Sequence, residues 1–165
     1  MNAALRLSWY KFKHHYMDFV KVLLGIVAFE GLILYIQDKG FLDDFETTRM
    51  TLFLLLFSTS LLIVVQNSIY ISKERSVLNR DFFSGLSRSA FALASMGIHA
   101  FFAVLETIVF ILSYSVFSKF FDKDFPDAGH IFGSYRWEVG ITVLLVFLAS
   151  HFIALFISAL VGKSE

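Results

Sequence analysis

The chain has 165 residues, of which 57% are hydrophobic and 17% charged, with 21 phenylalanines, one proline and no cysteine, and its mean hydropathy is +0.70. Soluble domains carry about 45–50% apolar and 25% charged residues, so these values exclude a disordered chain, a disulfide scaffold and an ordinary soluble domain, and identify an integral membrane protein. Fourteen basic residues balance fourteen acidic ones; no basic surplus attracts nucleic acid, and the lack of cysteine removes thiolate metal sites and thiol nucleophiles.

Residues 1–18 come first. Leu5, Trp9, Phe12, Tyr16 and Phe19 recur at spacings of four and three, which aligns them on one helical face while Arg6, Lys13 and His14 point elsewhere. The pattern predicts an interfacial helix on the membrane surface, its basic face held by anionic lipid. Four apolar stretches then follow, at 19–37, 50–71, 90–117 and 139–161. Each supplies the roughly 20 residues that a helix needs to cross a hydrocarbon core about 30 Å thick. None alternates apolar and polar residues as an outer-membrane strand does, so the expected fold is an all-α membrane bundle in a single transmembrane domain, 1–165. The first stretch starts late, contains Glu30 and lacks a small-residue cleavage site, and is expected to stay in the mature protein.

Charge sets the orientation. Arg6, Lys11, Lys13, Lys21, Lys73, Arg75, Arg80, Arg88 and Lys163 fall on one side, against Lys39, Arg49, Lys119, Lys123 and Arg136 on the other, where acids from Asp38 to Glu138 accompany them. The positive-inside bias predicts both termini and the middle loop in the cytoplasm, in a plasma or bacterial inner membrane. Trp9, Trp137, Tyr16, Tyr35, Tyr70 and Tyr135 fall near the span edges, where amphipathic rings are favoured.

The loop 38–49 is short and acidic, and 118–138 holds Pro126, Gly129 and Gly133 as breakers. The middle segment, 72–89, differs: Val77, Leu78 and Phe82 make an apolar stripe, with Glu74, Arg75 and Asp81 largely off it. Gly85 is expected to stop this helix and Ser87 or Ser89 to cap the next. A rigid amphipathic element facing the cytoplasm suits a soluble partner, although a solvated connector would also fit the pattern.

Lys73-Glu74-Arg75, Val77, Arg80-Asp81, Gly85-Leu86-Ser87, Ala90-Phe91 and Ser95 together resemble the region between the second and third membrane helices of type-2 ABC exporter permeases, the group that contains the G-subfamily transporters. The resemblance implies that Lys73, Glu74, Arg75, Val77, Arg80, Asp81, Gly85 and Leu86 form a coupling helix that contacts an ATPase and passes on its closure. It extends over the whole chain through the interfacial helix, the four spans and the end Leu155–Glu165. Asp81 stands where Glu is usual, Phe91 where Tyr is usual, and Glu106 where a neutral Gln is common. The family's permease half has six spans and a re-entrant segment, and four are found here. A truncated or split permease and a four-span relative that keeps the ATPase-facing part both fit.

Other chemistry is mostly missing. Gly162-Lys163-Ser164 would end a phosphate-binding loop only with Gly at position 157, which is Ile157. ATP and magnesium are therefore expected on a partner ATPase, with no cofactor, metal or catalytic residue in this chain. His14, His15, His99, His130 and His151 show no metal-ligand spacing. Within the spans, a charged carboxylate costs about 2.5–3.5 kcal/mol on insertion scales, so Glu30 and Glu106 should be protonated, paired or facing a polar cavity. His99 and Ser113 lie seven residues either side of Glu106, on the same face, within reach of His151 on the fourth span. These groups read as an interhelical polar clamp in preference to a proton or substrate path.

In the resembling family the second span borders the substrate slot, which makes Phe57, Ser60, Val64 and Asn67 candidate lining; ordinary packing through small and hydroxyl residues is the alternative. The reading is a permease subunit, whole or partial, of an ATP-driven ABC exporter, working as a homodimer or with a complementary permease chain. The rival is a four-span scaffold or regulatory subunit that moves nothing. A channel is disfavoured because no span has a repeated polar face.

Overall fold

The computed structural model describes residues 16–37, 45–68, 75–83, 85, 87–122, 131 and 133–160. They form five helices and, among the described residues, no strand: α1 (Tyr16–Ile36), α2 (Phe45–Asn67), α3 (Arg75–Phe83), α4 (Arg88–Phe121) and α5 (Tyr135–Leu160). The first 15 residues of the expected interfacial helix lie outside the described residues, and Tyr16–Asp18 are already the first turn of α1.

Four of the five helices, α1, α2, α4 and α5, are long and apolar enough to cross a membrane. α4, with 34 residues, is about 51 Å long at 1.5 Å per residue and outruns a 30 Å core by several turns. The four pack as a ring in which α1 touches α2 and α4, and α5 touches α2 and α4. Ring contacts fix the directions. Phe19 meets Phe102 and Tyr35 meets Phe121, so α1 and α4 run parallel. Phe110 meets Phe147 edge-on at 5.9 Å while His99 meets His151, so α4 and α5 run antiparallel.

The buried face of each helix repeats at close to four residues. α1 buries Val22, Ile26, Glu30 and Leu34; α2 buries Thr51, Leu55, Thr59 and Ile63. A spacing of four follows one ridge of the helix surface, the surface that packs against a neighbour. Ile26, Leu34, Leu55, Phe110, Tyr114 and Phe147 belong to the resulting apolar core. Glycine brings two pairs close: a Cβ on Gly25 would collide with Leu62 Cδ2, and one on Gly140 would lie 2.9 Å from Ile111 Cδ1. Small residues at such contacts let helices approach closely in lipid, where apolar burial gives no drive to associate.

Outside the ring the surface is greasy. Leu24, Leu32, Phe53, Leu61, Leu112, Leu145 and Phe156 are exposed, whereas Glu30, Glu106, His99 and His151 are buried. Ionisable groups inside and leucines outside reverse the soluble pattern and match a multi-pass membrane protein. Tyr16, Tyr35 and Trp137 are exposed near helix ends, where interfacial rings belong.

Candidate functional site

Two features stand out: a polar network inside the ring, and α3 at one end of it.

The network begins at Glu106, midway along α4. Its Oε2 lies 2.8 Å from His151 Nε2 on α5, and His151 Nδ1 lies 3.0 Å from His99 Nδ1, two turns back on α4. The side chains of Glu106 and His151 are 0% exposed and His99 is 2% exposed. Glu106 Oε1 has no hydrogen-bond partner among the described residues. Two imidazole Nδ1 atoms at 3.0 Å need one proton between them, so one donates and the other accepts. The chain Glu106–His151–His99 is therefore continuous, with one hydrogen in each of its two contacts.

Ser113 belongs elsewhere. Its hydroxyl donates to Glu30 Oε2 on α1 and also lies 2.8 Å from Val109 O. Glu30 and Glu106 thus serve different interfaces, α1 with α4 and α4 with α5. The shared face of His99, Glu106 and Ser113 was legible as heptad spacing. The Glu30–Ser113 pair was not, since its members are 83 positions apart and no local pattern joins them.

The candidate lining of the second span disperses. Phe57 is 54% exposed and stacks on Phe53, while Ser60, Val64 and Asn67 are partly buried. Hydroxyls of this helix largely satisfy themselves: Ser58 donates to Leu54 O at 2.7 Å and Thr59 to Leu55 O at 2.6 Å, and Asn67 Nδ2 donates to Ile63 O at 2.9 Å. Such back-bonding releases a hydroxyl from needing a partner in lipid. Ser60 Oγ is buried and has no partner among the described residues. A cleft of about 220 Å³ lies between α2 and α5, between Leu52 and Leu56 on one wall and Tyr135 and Thr142 on the other, with Phe110 below. None of the four candidates borders it.

α3 occupies the connector between α2 and α4. Leu78 is buried at 3% exposure and Phe82 sits edge-on to Phe91 at 5.9 Å, with the Arg88 guanidinium 5.6 Å from the Phe82 ring, a cation–π distance. Arg80 is exposed. The helix stops through Gly85, whose φ of +104° suits glycine, and whose N–H donates to Phe82 O at 3.2 Å. Ser87 caps α4, its side chain accepting from Ala90 N–H at 3.5 Å. α3 and α4 thereby meet at a short corner with an aromatic contact across it. Arg75, Val77 and Asp81 lie on α3, while Lys73, Glu74 and Leu86 fall outside the described residues.

Among the described residues, no group of three His, Cys, Asp or Glu side chains has metal-binding geometry. No curated protein and no solved structure matches the chain. The comparison with protein families does match: residues 5–165 fit the membrane domain described as ABC-2 type transporter. That match spans all five described helices, the α3 connector among them, and the chain belongs to the ABC-2 type transporter family, as a permease component of an ABC transporter.

Proposed function

We propose that this permease component couples the closure of a separate ATPase to export across the plasma or bacterial inner membrane. Both termini and α3 face the cytoplasm on this reading, as the basic side of the chain demands. ATP and magnesium sit on the partner, and this chain performs no chemistry of its own. Two copies, or this chain and a complementary permease, enclose the path.

The observation that carries the reading is the α3–α4 corner. Leu78 and Phe82 anchor one face of α3 to the bundle while Arg80 stays exposed for a partner. A pull on α3 passes to α4 through the Phe82–Phe91 contact and the short turn at Gly85. α4 packs on both α1 and α5, so its tilt shifts both. The bundle supplies two arrangements, and nucleotide affinity for the closed ATPase dimer biases them.

Purification through this chain after gentle extraction, with identification of what stays bound, tests the proposal. Recovery of a P-loop ATPase, and loss of both its binding and ATP-dependent flux when Arg80 and Asp81 are replaced by alanine, is the expected result. Recovery with only partners that lack a nucleotide motif overturns it in favour of a scaffold.

A further inference from the structure

The cleft between α2 and α5 opens at the end of the ring opposite α3, and neither the polar network nor the connector helix lines it. We propose that it is a binding site for a small aryl alcohol, one aromatic ring carrying one hydroxyl group, with the ring inside and the hydroxyl at the mouth. The proposal does not depend on the ATPase coupling above.

Burial gives the cleft a direction. Leu55, Phe110 and Val143 form its floor and are at most 2% exposed. Leu52, Leu56 and Val139 are partly buried walls, also apolar. The polar groups gather toward the outside, where Tyr135 and Glu138 are partly buried and Thr142 is exposed. The order follows from helical spacing. Residues four apart share a ridge, so Tyr135, Val139 and Val143 run from the first turn of α5 down to the floor, and Glu138 and Thr142 make the adjoining ridge. An apolar pocket with a few polar groups at one end holds its ligand in one orientation.

Size and chemistry narrow the ligand. The volume is about 220 Å³, above the roughly 150 Å³ of an apolar cavity that takes benzene and below the roughly 300–1,000 Å³ of a site for a drug-sized molecule. One ring with a short substituent fits. Phe110 in the floor and Tyr135 at the side offer aromatic edges and faces, which a ring uses and an alkyl chain does not. At the rim the Thr142 hydroxyl donates to Glu138 O at 2.8 Å, and its oxygen can still accept from a ligand hydroxyl. The mouth lies beside the first two turns of α5, next to the exposed Trp137. Amphipathic rings concentrate at that depth of a bilayer, so an aryl alcohol dissolved in the membrane reaches the site from the interface.

The test uses the full chain in lipid nanodiscs and a benzyl alcohol whose ring carries a trifluoromethyl-diazirine, with the photolabelled residues mapped by mass spectrometry. Labelling of 52–56 and 135–143 should saturate with probe concentration, whereas labelling at the exposed Leu112 and Phe156 should rise without saturating. Unlabelled benzyl alcohol should compete for the saturable part. Toluene, at matched concentration in the membrane, should compete about two- to tenfold more weakly, the worth of one hydrogen bond. Labelling of the cleft that rises as it does at Leu112 and Phe156 means access from bulk lipid only, and overturns the site. Equal competition by toluene overturns the role of the hydroxyl.

Thr142→Val keeps the shape of an exposed side chain and removes the acceptor. It should weaken competition by benzyl alcohol by about two- to tenfold and leave that by toluene unchanged; no difference between the two overturns the assigned orientation. Leu56→Trp, on a wall of the cleft, should abolish the saturable labelling, and labelling that still saturates at 52–56 and 135–143 in that variant overturns the proposal.

Discussion

Replacing His151 with leucine tests the polar network most directly. Leucine keeps roughly the volume of the side chain and removes the middle member, so both interhelical contacts, at 2.8 Å and 3.0 Å, are lost together. Interhelical hydrogen bonds in membranes average about 0.6 kcal/mol and reach about 1.7. Glu106, with Oε1 already unpartnered among the described residues, is then left without the His151 contact, at a further cost of about 1–3 kcal/mol. The total is about 2–4 kcal/mol, from thirtyfold to several hundredfold in the folding equilibrium.

Replacing Glu106 by leucine as well removes the stranded carboxylate. Buried pairs exchanged for apolar residues of similar size are often neutral, so the double variant should return to within about 1 kcal/mol of the parent, a coupling near 2 kcal/mol. The assay is reversible unfolding in mixed micelles titrated with sodium dodecyl sulfate, followed by circular dichroism. A cost below about 0.5 kcal/mol for His151→Leu, or additive losses in the double variant, would refute the reasoning.

Ser113→Ala strands Glu30 at the α1–α4 interface and should cost about 1–2 kcal/mol in the same titration, independently of the His151 variant. Gly140→Leu places a side chain where even a Cβ would lie 2.9 Å from Ile111 Cδ1; it should destabilise by about 1–3 kcal/mol, and Ile111→Ala in the same chain should recover part of that. Gly85→Val meets open space, so its effect is confined to the φ of +104° and should be about 1–2 kcal/mol; ATP-dependent flux should fall further than stability if the α3–α4 corner transmits motion. Phe57→Ala, on the exposed face of α2, should change stability by under about 0.5 kcal/mol, and flux measured on reconstituted vesicles then reads any role in the path free of folding effects.

The sequence by itself determined that the chain crosses the membrane on four helices. Length and apolarity are local properties, and lipid leaves the backbone of a spanning segment with no water to bond. The order of connector helix, turn and capped fourth helix was local as well: Gly85 and Ser87 act on their own neighbours, and α3 ends and α4 begins where they stand. Glu106 was legible as costly for the same reason, since any carboxylate at mid-span must find a partner.

Which partner it finds depends on the ring. Spacing placed His99 and Glu106 on one face with His151 expected within reach, but only the antiparallel packing of α4 on α5 set His151 between them, and the parallel packing of α1 on α4 gave Ser113 to Glu30 instead. Of the hydroxyls on the second span, Ser58 and Thr59 are bonded to their own backbone once the helix forms, while Ser60 Oγ is buried without a partner among the described residues. Helix order around the ring and the facing of each ridge are set by contacts between residues 45 to 83 positions apart, such as Glu106 with His151 and Glu30 with Ser113. Periodicity along one strand of sequence carries no information about those pairs, because an apolar helix in lipid has no wet side to fix its rotation and only packing chooses which face turns inward.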